Sequence, residues 1–236
     1  MPSRFAARFT GPELMDTEDV EFAEFHECLQ QLAVINSWTL AYRPTLQWLS
    51  EILPLLDRSH CLSILDIGSG GGDMLRRIAR WNGGRFSLDL TGIDINPWSQ
   101  LSAEMQRSTE EICYETCDLF ALPPETRADF IVSSLFTHHL PDEMLVRFLR
   151  WMERHATRGW FINDLHRHVV PYVVIKYIVR LLRCNRLIVH DAPVSILRAF
   201  TARDWRRLLT EAEIPLEAVS IRWHFPFRYC LSRRKP

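Results

Sequence analysis

No sign of charge dominates this sequence: 28 lysines and arginines stand against 29 aspartates and glutamates, a formal net charge of -1 over 236 residues. That balance excludes a dedicated nucleic-acid surface, which needs a basic excess gathered on one face. The local basic clusters, Arg203, Arg206 and Arg207 and the terminal Arg233, Arg234 and Lys235, read as solvated faces and a polar tail. Cysteine is sparse as well. The six, Cys28, Cys61, Cys113, Cys117, Cys184 and Cys230, form no C-x-x-C and no paired framework, so neither a disulfide scaffold nor a bound metal is expected and the compartment reads as a reducing cytoplasm. Residues 1–10 hold no continuous apolar run, and no signal peptide is expected. The longest apolar stretch, 168–183, is too short to span a bilayer and is interrupted by Lys176, Arg180 and Arg183. What the chain does have is 47% hydrophobic residues, enough to bury the core of one ordinary α/β domain.

The rest of the chain is organised around residues 63–75, SILDIGSGGGDML. A short apolar run, a turn of four glycines and a helix starting near Asp73 read as strand, tight loop and helix. Gly68, Gly70 and Gly72 let the backbone bend where other residues cannot and let a ligand lie against the main chain. The following helix points free N–H groups at that ligand. The spacing is G-x-G-x-G rather than the G-x-G-x-x-G of a dinucleotide site. Asp66 and Asp73 add two carboxylates that repel a pyrophosphate and suit a cationic ligand. S-adenosylmethionine (SAM), with its sulfonium and ammonium, fits that field better than NAD.

Three further strand ends repeat the pattern. Residues 88–94 read as a second strand ending in Asp94, with Pro97 opening a helix; 112–118 as a third ending in Asp118; and 128–134 as a fourth ending in Ser133 and Ser134. In doubly wound sheets an acid closing the second strand takes the ribose hydroxyls. On LDIGSGGGD, TGIDINP, CDLF, ADFIVSSLFTHHLPDE and WFINDLHRH, the sequence resembles the class I SAM-dependent methyltransferases over about residues 62–231. Within them it is similar to the small-molecule enzymes of quinone biosynthesis and of aromatic or polyketide metabolism. The resemblance implies that Asp66 and the backbones of Gly68, Ser69, Gly70 and Gly72 hold the methionine moiety. It places Asp94 with Ile95 at the ribose, Asp118 with Leu119 at the adenine, and Ser134 with Leu135 beneath the sulfonium.

The resemblance also implies a seven-stranded Rossmann-like α/β sheet, order 3-2-1-4-5-7-6 with the last strand antiparallel. Alternating strands and helices require right-handed crossovers, and two closing strands, about 217–223 and 227–232, are close enough to pair antiparallel. Residues 1–57 are expected as an arm and helical cap and 58–236 as the larger unit, the whole forming one structural unit. Trp38 and Tyr42 in the cap read as packing; Arg43 is either a surface residue or the partner of the methionine carboxylate. Residues 166–198 exceed the minimal fold and are expected as a helical insertion, with one apolar helix over about 168–183 that packs against the cap or walls an apolar pocket in preference to touching a membrane.

Methyl transfer from a sulfonium is an in-line displacement, so alignment and exclusion of water dominate. A phenolic acceptor, with a pKa near 10, benefits from a general base. His138 and His139 follow the fourth strand and His166 and His168 the fifth, on the rim where open α/β sheets bind ligands. His139 or His166 is the expected base, with Asp164 or Asn163 orienting it or the acceptor and one of the His138–His139 pair only packing. The reading is a SAM-dependent O-methyltransferase of a small, apolar, aromatic or polyketide-derived hydroxyl. The alternatives are C-methylation of a quinone-like ring and a non-catalytic SAM-binding regulator. Macromolecule methylation lacks an N-P-P-Y-like motif after the fourth strand, where Ser133-Ser134-Leu135-Phe136 stands.

Overall fold

In the computed structural model, residues 4–57, 59–106, 108 and 111–235 are described. Residues 1–3 of the expected arm and residues 58 and 236, which bound the expected larger unit, lie outside them. The elements are α1 (Leu14–Thr17), α2 (Phe22–Trp38), α3 (Arg43–Ile52), β1 (Leu62–Ile67), α4 (Asp73–Asn82), β2 (Leu88–Asp94), α5 (Pro97–Glu104), β3 (Cys113–Thr116), β4 (Ala128–Ser134), α6 (Asp142–His155), β5 (Ala156–Leu165), α7 (Val169–Leu181), α8 (Arg186–Arg198), α9 (Ala202–Glu211), β6 (Val219–His224) and β7 (Arg228–Arg234). The seven strands form one sheet in the expected order, β3-β2-β1-β4-β5-β7-β6. Only β7 is reversed, running antiparallel to both β5 and β6.

Strand alternation divides the core. Leu65, Ile67, Trp160, Ile162 and Leu231 pack on one face against Leu145, Phe148 and Leu149 of α6 and Trp205 of α9. Their chain neighbours Ile64, Phe161 and Cys230 pack on the other against Trp48 and Leu49 of α3 and Leu75 and Ile78 of α4. This two-faced burial is why the central strands read as unbroken apolar runs. Each fully buried large side chain contributes about 1.5–3 kcal/mol.

Several boundaries differ from expectation for local reasons. The third strand stops at Thr116 because the Asp118 side chain accepts the Phe120 N–H at 2.9 Å and turns the chain. The fifth is longer than 159–164, reaching Leu165, because β7 pairs with it as far as Arg228. The insertion carries a second helix, α8, which the sequence conceals: Pro193 sits inside it, where proline normally signals an end. A third apolar cluster, Val20, Phe25, Cys28, Val179, Leu187 and Ile188, joins α2 to α7 and α8. Yet α7 is not buried all round. Only Val179 of it is buried, and Val169, Val170, Val173, Val174, Tyr177, Ile178 and Leu181 are exposed. No helix of the described residues is long and apolar enough to cross a membrane.

Candidate active site

At the carboxyl ends of β1, β2, β4 and β5 lies a cavity of about 960 Å³, roofed by α2, α7 and α8. The loop between β1 and α4 forms one wall. Gly68, Gly70 and Gly72 take φ of 72°, 50° and 72°, a region closed to most side chains. The Gly68 and Ser69 N–H groups bond the Ile93 carbonyl at 2.9 and 3.0 Å, and Gly70 N–H bonds Asp94 Oδ2 at 2.9 Å. A Cβ on Gly68 would stand 2.4 Å from the Phe136 ring. Gly68→Ala should therefore cost about 1–3 kcal/mol of stability and misplace the cofactor wall, read as a lower denaturation midpoint and a smaller stabilisation by S-adenosylhomocysteine (SAH).

Asp66 stands in this wall, 2% exposed, and its Oδ1 has no hydrogen-bond partner. Burial, then the charges of Asp73 and Asp94, push its carboxyl well above the usual range. Asp73 is engaged by the Tyr42 hydroxyl, which donates to its Oδ2. Burial also raises Asp94, against the N–H groups of Asn96 and Gly70 that it accepts. A buried carboxylate oxygen without a donor is costly; a cationic ligand with N–H groups removes that cost. The donor set and the glycine cradle thus fit the methionine end of SAM.

The turn after β4 carries His138 and His139. Asp164, wholly buried on β5, lies 2.7 Å from His138 Nδ1, accepts the His138 backbone N–H at 3.0 Å, and accepts the Thr137 hydroxyl. Burial works against ionisation of Asp164, but His138 and Thr137 outweigh it and hold the carboxyl down to about 2. An ionised Asp164 at Nδ1 requires Nδ1–H, so Nε2 is the ring nitrogen left to exchange a proton. That nitrogen faces Glu13, whose Oε1 lies 3.8 Å away and has no hydrogen-bond partner. His139 is held differently. Burial opposes its protonation, but the hydrogen bond with Asp16 at 3.0 Å and the charges of Glu13 and Asp16 push it up to about 9.

Two short elements are pinned to bring these groups together. Asp191 of α8 accepts the Leu14 and Met15 N–H groups at 2.7 and 3.0 Å, which fixes α1 and with it Glu13 and Asp16. Arg198 donates to the His138 and His139 carbonyls at 2.9 and 2.6 Å and holds their turn. Glu13, His138 and His139 offer donor atoms within 4.8 Å of one another. The Arg198 guanidinium, 3.7 Å from Glu13 Oε1, and the protonated His139 already place positive charge there. The cluster is suited to holding protons more than to holding a metal ion.

Of the residues expected from the sequence, Asp66, Gly68, Ser69, Gly70, Asp94, Ile95, Asp118, Leu119, Ser134, Leu135, His138 and His139 line the cavity. Gly72, Arg43, His166 and Asp164 do not, and the reasons are geometric. Gly72 is turned to Tyr114, whose hydroxyl lies 2.4 Å from where a Cβ would be, and Gly71 lines the cavity in its place. Arg43 opens α3 with its side chain exposed. His166 follows Leu165, which lines the cavity, so alternation turns its ring away. There it sits among Tyr229, Phe227 and His168 and takes the Trp223 indole N–H at 3.3 Å. Burial, helped by the charges of His168 and Arg167, lowers His166 to about 4. Asp164 is also off the cavity surface, and its partner is His138 rather than His139 or His166; Asn163 donates to the Ala41 carbonyl at 2.6 Å. Missed from the sequence were Glu13, Asp16 and Arg228. The acids are spaced one helical turn apart ahead of the cap, which is the only local signal they give.

Residues 64–159 match the family model described as a methyltransferase domain. No curated protein matches the sequence. Three solved structures share the fold. Magnesium protoporphyrin IX methyltransferase from Synechocystis PCC 6803, solved with SAH, has 18% identity, covers 93% of this chain and 90% of its own, and gives a TM-score of 0.57. Human N-acetylserotonin methyltransferase, solved with SAM, has 18% identity over 91% of this chain and 56% of its own, with a TM-score of 0.61. The plantazolicin methyltransferase BpumL, solved with SAH, has 16% identity over 90% of this chain and 96% of its own, with a TM-score of 0.63.

Proposed function

Taking residues 64–159 as a methyltransferase domain, we propose that this protein moves the methyl group of SAM to the hydroxyl oxygen of a small, largely apolar acceptor, aromatic or polyketide-derived. The observation that carries the oxygen reading is the Asp164–His138 pair, 2.7 Å apart, with His138 on the cavity wall. When bound, SAM supplies an electrophilic methyl on a sulfonium. Asp66 would accept hydrogen bonds from its ammonium, the Gly68–Gly70 backbone would hold the methionine moiety, Asp94 would take the ribose hydroxyls and Asp118 the adenine amine. Leu135, at φ 57° with its N–H on the Asn163 carbonyl at 2.9 Å, and Ser134 support the reacting end.

His138 Nε2 receives the acceptor's hydroxyl proton, and the fixed carboxylate of Asp164 stabilises the resulting imidazolium, the arrangement in which a base is oriented by a third group. Methylation at a ring carbon makes less use of this pair. Phe25, Phe120, Phe136, Phe225 and Phe227 on the wall suit an apolar, aromatic body and exclude water from the displacement. The six cysteines, all free thiols, suit a reducing cytoplasm, to which we assign the protein.

Isothermal titration with SAH and with NAD tests the cofactor assignment. SAH alone should bind saturably, and Asp94→Ala should weaken it about tenfold to hundredfold, the loss of a hydrogen-bonded carboxylate. Transfer from labelled SAM to phenols then reads the acceptor. NAD binding in place of SAH would sink the assignment.

A further inference from the structure

Arg228 opens β7 on the cavity wall. It is 2% exposed. Its Nη2 donates to the Thr39 hydroxyl at 3.2 Å, while Nε and Nη1 have no hydrogen-bond partner. Among the described residues no carboxylate lies within ion-pair distance of it. Burial lowers the guanidinium to about 10, so it stays charged at neutral pH. A buried, charged and half-unsatisfied guanidinium is strongly unfavourable in an empty site, and its planar fork matches a carboxylate.

We propose that Arg228 is an anion receptor for the acceptor, so that the substrate class is a hydroxylated apolar compound bearing a carboxylate. The assignment deepens, and rests on, the methyl-transfer reading above. A carboxylate in this cavity has two sources, the acceptor and the methionine end of SAM, and position favours the first. Arg228 pairs in register with Leu165 of β5. From Asp66 on β1 it is three strands across the sheet, through β4 and β5, roughly 14 Å in the direction across the strands, and four residues further along them. An ammonium at Asp66 and a carboxylate on the same carbon do not span that easily. Asp164, which holds His138, pairs in register with Tyr229, the residue after Arg228. An acceptor with its hydroxyl at His138 Nε2 therefore presents its acid group on the Arg228 side, and the two anchors fix which hydroxyl meets the methyl.

The test uses the full chain and its Arg228→Met and Arg228→Lys variants, with thermal denaturation and titration as readouts and 4-hydroxycinnamate and its methyl ester as probes. The wild type should bind the acid about tenfold to hundredfold more tightly than the ester. Arg228→Met should bind the two alike, Arg228→Lys should recover part of the preference, and SAH should stabilise all three proteins equally. Ligand-free Arg228→Met should melt no lower than the wild type, since it removes an uncompensated charge. Loss of the SAH response in Arg228→Met would assign the guanidinium to the cofactor's carboxylate and overturn the proposal. A lower midpoint without any carboxylate preference in the wild type would make Arg228 a structural residue and overturn it equally. SAH failing to bind even the wild type would count against the methyl-transfer reading, while the acid-against-ester comparison still decides whether Arg228 receives anions.

Discussion

Replacing His138 by alanine should slow methyl transfer to a phenolic acceptor about 10²–10⁴-fold and leave SAH affinity nearly unchanged. The asymmetry follows from position: His138 belongs to the turn after β4 and not to the β1–α4 loop, and its Nδ1 is committed to Asp164 at 2.7 Å. Asp164→Asn should approach the same loss in kcat by a different route, because an amide no longer demands Nδ1–H and no longer stabilises the imidazolium. It should also cost about 1–3 kcal/mol of stability, since the buried Thr137 hydroxyl and His138 N–H groups lose their charged acceptor. The pH dependence separates the two substitutions. Asp164 is held down to about 2 by His138 and Thr137 against the opposing effect of burial. Its folded value is depressed, so its contribution is complete above the unfolded value near 3.9 and is lost as pH falls through about 2. Urea unfolding of wild type and Asp164→Asn should therefore differ most at neutral pH and converge in strong acid. His138→Ala with undiminished kcat would refute the base assignment outright.

Asp66→Asn should do two opposite things. Without ligand it should stabilise the protein at pH 8, by about 1–3 kcal/mol, since the wild-type carboxyl is buried, lacks a donor at Oδ1 and stands near Asp73 and Asp94. Burial and those neighbours raise its folded value above the unfolded one, so the folded state holds the proton more tightly. Stability consequently falls as pH rises from the unfolded value toward the folded one, and the asparagine lacks that slope. With SAH present the order should reverse: affinity should drop about tenfold to hundredfold, the loss of a charge-assisted hydrogen bond to the ammonium. Paired urea titrations with and without SAH read both effects. Equal SAH affinity in the two proteins would remove Asp66 from the cofactor site.

The sheet was legible because its information is local. Alternation along Ile64–Leu65 and Trp160–Phe161 sends neighbouring side chains into two different cores, which leaves unbroken apolar runs in the sequence. The glycine loop was legible for the same reason: φ of 72° at Gly68 is a property of one residue. The polar wall was not. His138 meets Asp164 across 26 positions and His139 meets Asp16 across 123, and no spacing rule carries such pairs. His166 illustrates how little separates a residue that lines the cavity from one beside it, since β5 lining the cavity with Leu165 turns the next ring away. Arg228 stayed hidden because a cation at a strand start looks like any surface arginine until the neighbours that bury it are known.

The cavity's floor and roof do not belong to equally firm parts of the molecule. Its floor is the central sheet, packed on both faces by the two large cores. Its roof depends on the small third cluster, in which Val20, Phe25 and Cys28 meet Val179, Leu187 and Ile188 from the far end of the chain. Breaking that cluster exposes far less apolar surface than unfolding the sheet, so the roof opens at a fraction of the global free energy. Local unfolding of α2 against α7 and α8 uncovers the site while the sheet keeps Asp66, Asp94 and Asp164 on their strands, and a bound acceptor that bridges floor and roof joins the two into one cooperative unit.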